Sequence, residues 1–120
     1  MRRDGIRGLM AHHAGASAEA QIARQYEQQG LDILHQRWRG AGGEIDLILR
    51  NAGMVVFVEV KKSKSLAQAA ERITPRQVAR IRAAAGAFLA AELEGEPIDV
   101  RFDAALLGTS GEIEILENAF

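Results

Sequence analysis

Apolar and polar positions change period several times along the chain, and each change marks an element. Ser17 to Gln29 carries Ile22, Ala23 and Tyr26 at helical spacing and stops at Gly30, a residue suited to a helix C-terminus. Glu19 shares the face of Ile22 and Ala23, where a carboxylate is costly unless something pairs with it. Leu31 to Arg39 reads as a first strand centred on Ile33 and Leu34, broken by Gly40, Gly42 and Gly43. Glu44 to Arg50 and Met54 to Lys61 read as second and third strands around the turn Asn51-Ala52-Gly53. Thr74-Pro75-Arg76-Gln77 starts a helix: Thr74 caps it, Pro75 suits its first position and Gln77 completes a capping box. This helix runs to about Leu93, with Val78, Ile81, Ala85, Phe88 and Leu89 as its buried stripe. Pro97 precedes a strand from Ile98 to Leu107, and Glu112 to Leu116 alternates as a last strand.

Composition narrows the class. In 120 residues, 48% are hydrophobic and 26% charged, which suits one globular domain. Residues 1–14 hold three Arg and two His with no period and read as a flexible arm, leaving 15–120 as the domain. His12-His13 in such an arm reads as solvated, with metal binding as the rarer use. Cysteine is absent, which excludes disulfide scaffolds, zinc–thiolate sites and thiol nucleophiles. The opening MRRDGIRGLM lacks the apolar run of a secretory signal, and no stretch approaches a membrane span. The expectation is a cytoplasmic protein with no membrane partner. The formal net charge of −1 names no partner, but its distribution is uneven. Residues 60–82 carry seven cations (Lys61, Lys62, Lys64, Arg72, Arg76, Arg80, Arg82) against Glu71 alone, whereas 83–120 carry eight acids against Arg101 alone. Such a block suits a polyanion or, equally, a solvated helix face.

The chemistry concentrates in the central hairpin. Strict alternation sets Glu44, Asp46 and Ile48 on one face of the second strand and Ile45, Leu47 and Leu49 on the other. In the third strand, Val55, Phe57, Glu59 and Lys61 face away from Met54, Val56, Val58 and Val60. A two-residue turn at Ala52-Gly53 sets Asp46 opposite Glu59, with Cβ atoms about 5 Å apart. Two carboxylates so close repel unless a cation bridges them, and a hard divalent ion such as Mg²⁺ fits that donor set. Lys61 beside them suits a phosphodiester, whose hydrolysis needs an oriented water and charge stabilisation. E-x-K is common in exposed strands as an ion pair; the apolar settings GEIDLIL and VVFVEVK set this one apart. Trp38 reads as a partly buried packing residue, Tyr26 as core and Asp103 as the maker of a structural hydrogen bond. Arg76 and Arg80, four apart, fit a solvated face as well as a phosphate clamp.

A helix Glu, an Asp in the second strand and E-x-K at the end of the third resemble the PD-(D/E)XK nuclease superfamily. The closer resemblance is to the YraN-like family of small bacterial proteins, related to archaeal Holliday-junction resolvases. It spans Gly15 to Phe120 and is most specific at GGEIDLI (Gly42 to Ile48) and VFVEVK (Val56 to Lys61). Glu19 with Gly30, Arg101-Phe102-Asp103 and the ending Glu112 to Phe120 support it. The resemblance implies a restriction-endonuclease-like α/β fold, an αβββαβ core with a mixed central sheet flanked by helices. It implies Asp46, Glu59 and Glu19 as ligands of Mg²⁺ or Mn²⁺, Lys61 as the catalytic lysine, and Glu44 as a further ligand or a support behind them. It implies cleavage of branched or structured DNA, with Lys62, Lys64, Arg76 and Arg80 on the phosphates. A homodimer would enlarge a basic surface that the net charge leaves modest, and would suit two symmetric cuts. The chain departs from the pattern in places: Ser63 stands where a basic residue is usual, a basic residue is usual near Gln77, and Arg37 stands where Asn is usual. The competing functions are a DNA-processing module that binds without cutting and an interaction domain with ion-paired acids. Retention of Glu19, Asp46, Glu59 and Lys61 together favours the endonuclease.

Overall fold

The computed structural model describes residues 14–120. The arm read over residues 1–14 and the His12-His13 pair lie outside them, except for Ala14, which opens a helix instead. The elements are α1 (Ala14–Gln28), β1 (Asp32–Gly40), β2 (Gly43–Arg50), β3 (Met54–Ser63), α2 (Leu66–Glu71), α3 (Pro75–Glu92), β4 (Asp99–Gly108) and β5 (Ile113–Leu116). The strands form one sheet in chain order: β1–β2, β2–β3 and β4–β5 are antiparallel, and β3–β4 is parallel. This is the mixed α/β sheet flanked by helices that the elements predict, and it is compatible with a restriction-endonuclease-like core. None of the helices among the described residues is long and apolar enough to cross a membrane.

Two differences from the pattern have local causes. Helix α2 escapes notice because six residues are too short to show a helical stripe; its signal is Ser65, whose hydroxyl accepts the Gln68 N–H at 3.2 Å. Strand β3 outruns Lys61 to Ser63 because parallel pairing with β4 continues to Gly108.

Each sheet face has its own cover. Helix α1 lays Ile22, Ala23 and Tyr26 on Leu47, Leu49, Val56, Val58, Ala105 and Leu107. Its end is a Schellman turn: Gly30 takes φ of +87°, Gly30 N–H bonds the Glu27 carbonyl, and Leu31 N–H bonds that of Tyr26. On the other face, α3 sets Ala84, Ala85 and Phe88 against Ile45, Ile48, Val55 and Phe57. Phe88 is the hub there, meeting His35, Trp38 and Phe57 edge-on at centroid distances of 5.5, 5.4 and 5.8 Å. Trp38 is thus a packing residue and Tyr26 is core, as read from the sequence.

A buried polar clamp ties α1 to β4 and to the chain's end. Asp103, fully buried, accepts from Tyr26 Oη at 2.7 Å, from Arg101 Nε and Nη2 at 2.8 Å each, and from Asn118 N–H at 2.9 Å. Burial and the Asp103 charge push the Tyr26 phenol well above its ordinary pKa. The structural role expected of Asp103 is what its four hydrogen bonds describe.

The Gly42-Gly43 turn is where β1 and β2 meet α3. Gly42 has φ of +94°, and a Cβ there would lie 2.9 Å from the Ala83 carbonyl carbon. Both conformation and space therefore require glycine, which explains the first residue of the GGEIDLI motif. Gly42→Ala is expected to destabilise the fold by roughly 1–3 kcal/mol. Gly53→Ala meets nothing within 4 Å and is expected to be neutral or stabilising by up to about 1 kcal/mol. Urea denaturation midpoints of the two variants check the contrast.

Candidate active site

The β2–β3 hairpin has the register that a turn at Ala52-Gly53 dictates: Leu47 pairs with Val58, Ile48 with Phe57 and Leu49 with Val56. Asp46 and Glu59 come next, and there the backbone ladder stops. Asp46 Oδ2 accepts the Val60 N–H at 2.8 Å, so a side chain replaces the strand carbonyl as acceptor. Strict alternation fails at the same point. Ile45 packs with Ile48 beneath α3, while Leu47 and Leu49 face α1, so Glu44, Asp46 and Ile48 do not share one face against Ile45. The cause lies in β1. Leu34 is bulged, and Arg37, which falls opposite Asp46 between the pairs Gln36–Leu47 and Trp38–Ile45, has φ of +54°. Opposite this irregular stretch of β1, β2 resumes its alternation out of phase.

Three predicted residues, Asp46, Glu59 and Lys61, come together at this point. The side chain of Glu59 is only 13% exposed, and its Oε2 lies 3.0 Å from Lys61 Nζ. Burial first, and then the adjacent Asp46 carboxylate, push Glu59 up to about 7, against the opposing pull of Lys61. Asp46 also lines a small cavity with Glu19, Ile22, Gln36, Leu47 and Val60. Glu19 thus faces the same cavity from α1, and its carboxylate is 3.6 Å from Arg37 Nη2. Glu44 is not drawn in; Arg39 Nε holds it at 3.0 Å. Among the described residues, no three His, Asp or Glu side chains form a ready-made metal cluster.

Of the exposed cations of this block, two have partners on the protein. Arg72 Nη1 donates to the Lys62 carbonyl at 3.0 Å, and the Arg82 guanidinium lies 5.1 Å from the Phe102 ring centroid. Lys62, Lys64, Arg76 and Arg80 are exposed. Arg80 runs its aliphatic stem past Gly43, which brings α3 close to the β1–β2 turn.

The sequence pattern gives Gln77 a role as a helix cap. Its backbone N–H does bond Thr74 Oγ1 at 3.2 Å. Its amide, however, sits between the Arg72 carbonyl and the Lys61 ammonium, each at 2.6 Å once the oxygen is turned to Lys61. The opposite orientation returns the oxygen to the Thr74 N–H at 3.3 Å but sets NH₂ against the ammonium and oxygen against oxygen. The first orientation gives the Lys61 ammonium and the Arg72 carbonyl their partners at the expense of the longer Thr74 N–H bond, and the ammonium gains most from it.

Residues 18–107 match the family described as "Uncharacterised protein family UPF0102". The chain belongs to the UPF0102 family. It is 56% identical over 112 residues to a UPF0102 protein of Roseobacter denitrificans, covering 93% of this chain and 87% of that one. It is 50% identical over 120 residues to one of Ruegeria pomeroyi, covering 100% and 98% of the two chains. A UPF0102 protein of Cereibacter sphaeroides is 50% identical over 113 residues, covering 94% and 97%. The UPF0102 match contains Glu19, Asp46, Glu59, Lys61 and Gln77.

The raised Glu59 has a consequence for stability. Between its ordinary value of 4.5 and about 7, the folded state holds a proton that the unfolded chain has released. Stability of the metal-free protein should therefore fall as pH rises through that window. Glu59→Gln should flatten this slope and unfold at higher urea than wild type at pH 8. Urea unfolding at several pH values, without divalent ions, measures both.

Proposed function

We propose that this UPF0102 protein is a divalent-metal-dependent endonuclease acting on branched or structured DNA. The observation that carries the reading is the half-buried Asp46–Glu59 pair with Lys61 bonded to it. Two carboxylates in apolar surroundings, one pushed up to about 7, form a site whose negative charge the Lys61 ammonium offsets only in part. Their oxygen donors fit Mg²⁺ or Mn²⁺, and Glu19 across the cavity would complete the set. Such an ion would supply Lewis acidity toward a phosphodiester. The chain's own residues supply the rest. Asp46 and Glu59 hold negative charge at a fixed place, and Asp46 is anchored by the Val60 N–H. Lys61 presents an ammonium to a phosphate oxygen or an attacking water. The exposed Lys62, Lys64, Arg76 and Arg80 flank Lys61 in sequence and lie on the adjoining helix, where they suit a DNA backbone.

Purified protein with Mn²⁺ should cut four-way or flap DNA in preference to linear duplex. Glu59→Ala should abolish cutting while keeping DNA binding. Millimolar Mn²⁺ should raise the melting temperature of wild type but not of Asp46→Ala, which reports loading separately from cleavage. Binding without cutting by metal-loaded wild type would assign the chain to the non-cleaving class of module.

The basic surface has its own signature. Each phosphate contact contributes about 0.9 to the log–log salt slope for duplex DNA. Replacing Arg76 and Arg80 with Ala should weaken binding across sequences and flatten the slope by up to about two units. Salt titrations on a junction and a linear duplex test this, and wild-type behaviour of the double variant would move the DNA face elsewhere.

A further inference from the structure

We infer that Gln77 is a positioning residue that, with Glu59, fixes the Lys61 ammonium as a hydrogen-bond donor aimed with a single remaining N–H. An ammonium has three donors and no acceptor. One of them faces Glu59 Oε2 at 3.0 Å and a second the Gln77 amide oxygen at 2.6 Å. Two directions in space are thereby set, and the third follows from tetrahedral geometry. The Lys61 side chain is only 17% exposed, so protein groups rather than water hold it.

Gln77 is itself held. Its amide nitrogen donates to the Arg72 carbonyl at 2.6 Å, and its backbone N–H to Thr74 Oγ1 at 3.2 Å. Arg72 in turn donates to the Lys62 carbonyl at 3.0 Å, which ties the α2–α3 turn to the strand that carries Lys61. The loop thus closes on itself: strand to turn, turn to helix, helix back to the neighbouring lysine. A long, flexible side chain loses little further entropy in binding a substrate when its rotamer is already chosen. Any role of this fixed ammonium in cleavage rests on the endonuclease reading; its fixation does not. On that reading Lys61 stabilises charge or orients a water with the one N–H that its protein partners leave free.

The test uses the full chain. Nitrogen-15 NMR of the metal-free protein reads how fast the Lys61 ammonium protons exchange with water. Exchange should be slow in wild type, several-fold faster in Gln77→Leu, and slow again in Gln77→Glu, which restores an oxygen acceptor. If Gln77→Leu does not fold, Gln77→Ser, too short to reach Lys61, takes its place. In cleavage assays, Gln77→Leu should lower kcat by roughly ten- to a hundredfold, the worth of one hydrogen bond to a charged group, with KM little changed. Unchanged exchange in the Leu or Ser variant overturns the inference whatever the cleavage data. Faster exchange in a protein whose wild type cuts no DNA upholds the positioning and defeats the endonuclease reading alone.

Discussion

The Asp46 carboxylate satisfies a backbone N–H at Val60 that a strand carbonyl would ordinarily satisfy. A buried amide hydrogen without a partner is expensive, so this bond holds the end of the β2–β3 ladder in place. It also restricts Asp46 to one orientation, with its charge next to Glu59. The site is therefore part of the sheet's own hydrogen bonding. Removing the acid would cost the strand an acceptor as well as the site a charge. For this reason the two carboxylates stay together despite their repulsion, and Glu59 relieves the repulsion by holding its proton to about neutral pH.

Packing on both faces keeps that arrangement from relaxing. The α1 face presses Leu47 and Val58 from one side, and the α3 face presses Ile45 and Phe57 from the other. The change of phase at Asp46 is what lets Ile45 and Leu47 serve opposite cores while the residue between them turns into the ladder. Gly42 allows the β1–β2 turn to lie on the α3 backbone. The same helix carries Gln77 to Lys61. A single rigid element thus braces the acidic strand at one end and the lysine at the other.

Much of this was legible in the residues. The turn at Ala52-Gly53 sets the hairpin register by counting, and Thr74-Pro75 marks the start of α3 by its chemistry. Glu19 on an apolar stripe signals that a carboxylate has business at the buried face, and the cavity it shares with Asp46 agrees. The phase change was not legible, because it depends on a left-handed Arg37 in the neighbouring strand, and arginine carries no preference for that conformation. The second task of Gln77 was hidden for a different reason. A glutamine at the third position of a helix is fully explained by capping, so nothing in the chain asks for another partner. Glu44, read as a further ligand or a support behind the ligands, pairs with Arg39, whose Nε lies 3.0 Å from its carboxylate.

The irregular β1 also bears on how the molecule meets its neighbours. β1 is the outermost strand on one side of the sheet and the longer of the two border strands, so its outer side presents backbone donors and acceptors to any passing chain. A bulge at Leu34, a left-handed residue at Arg37 and exposed guanidinium groups at Arg37 and Arg39 interrupt that row every few residues. No straight segment remains that is long enough to template another strand. The distortion that turns Asp46 toward Glu59 thus also guards the sheet against edge-to-edge aggregation.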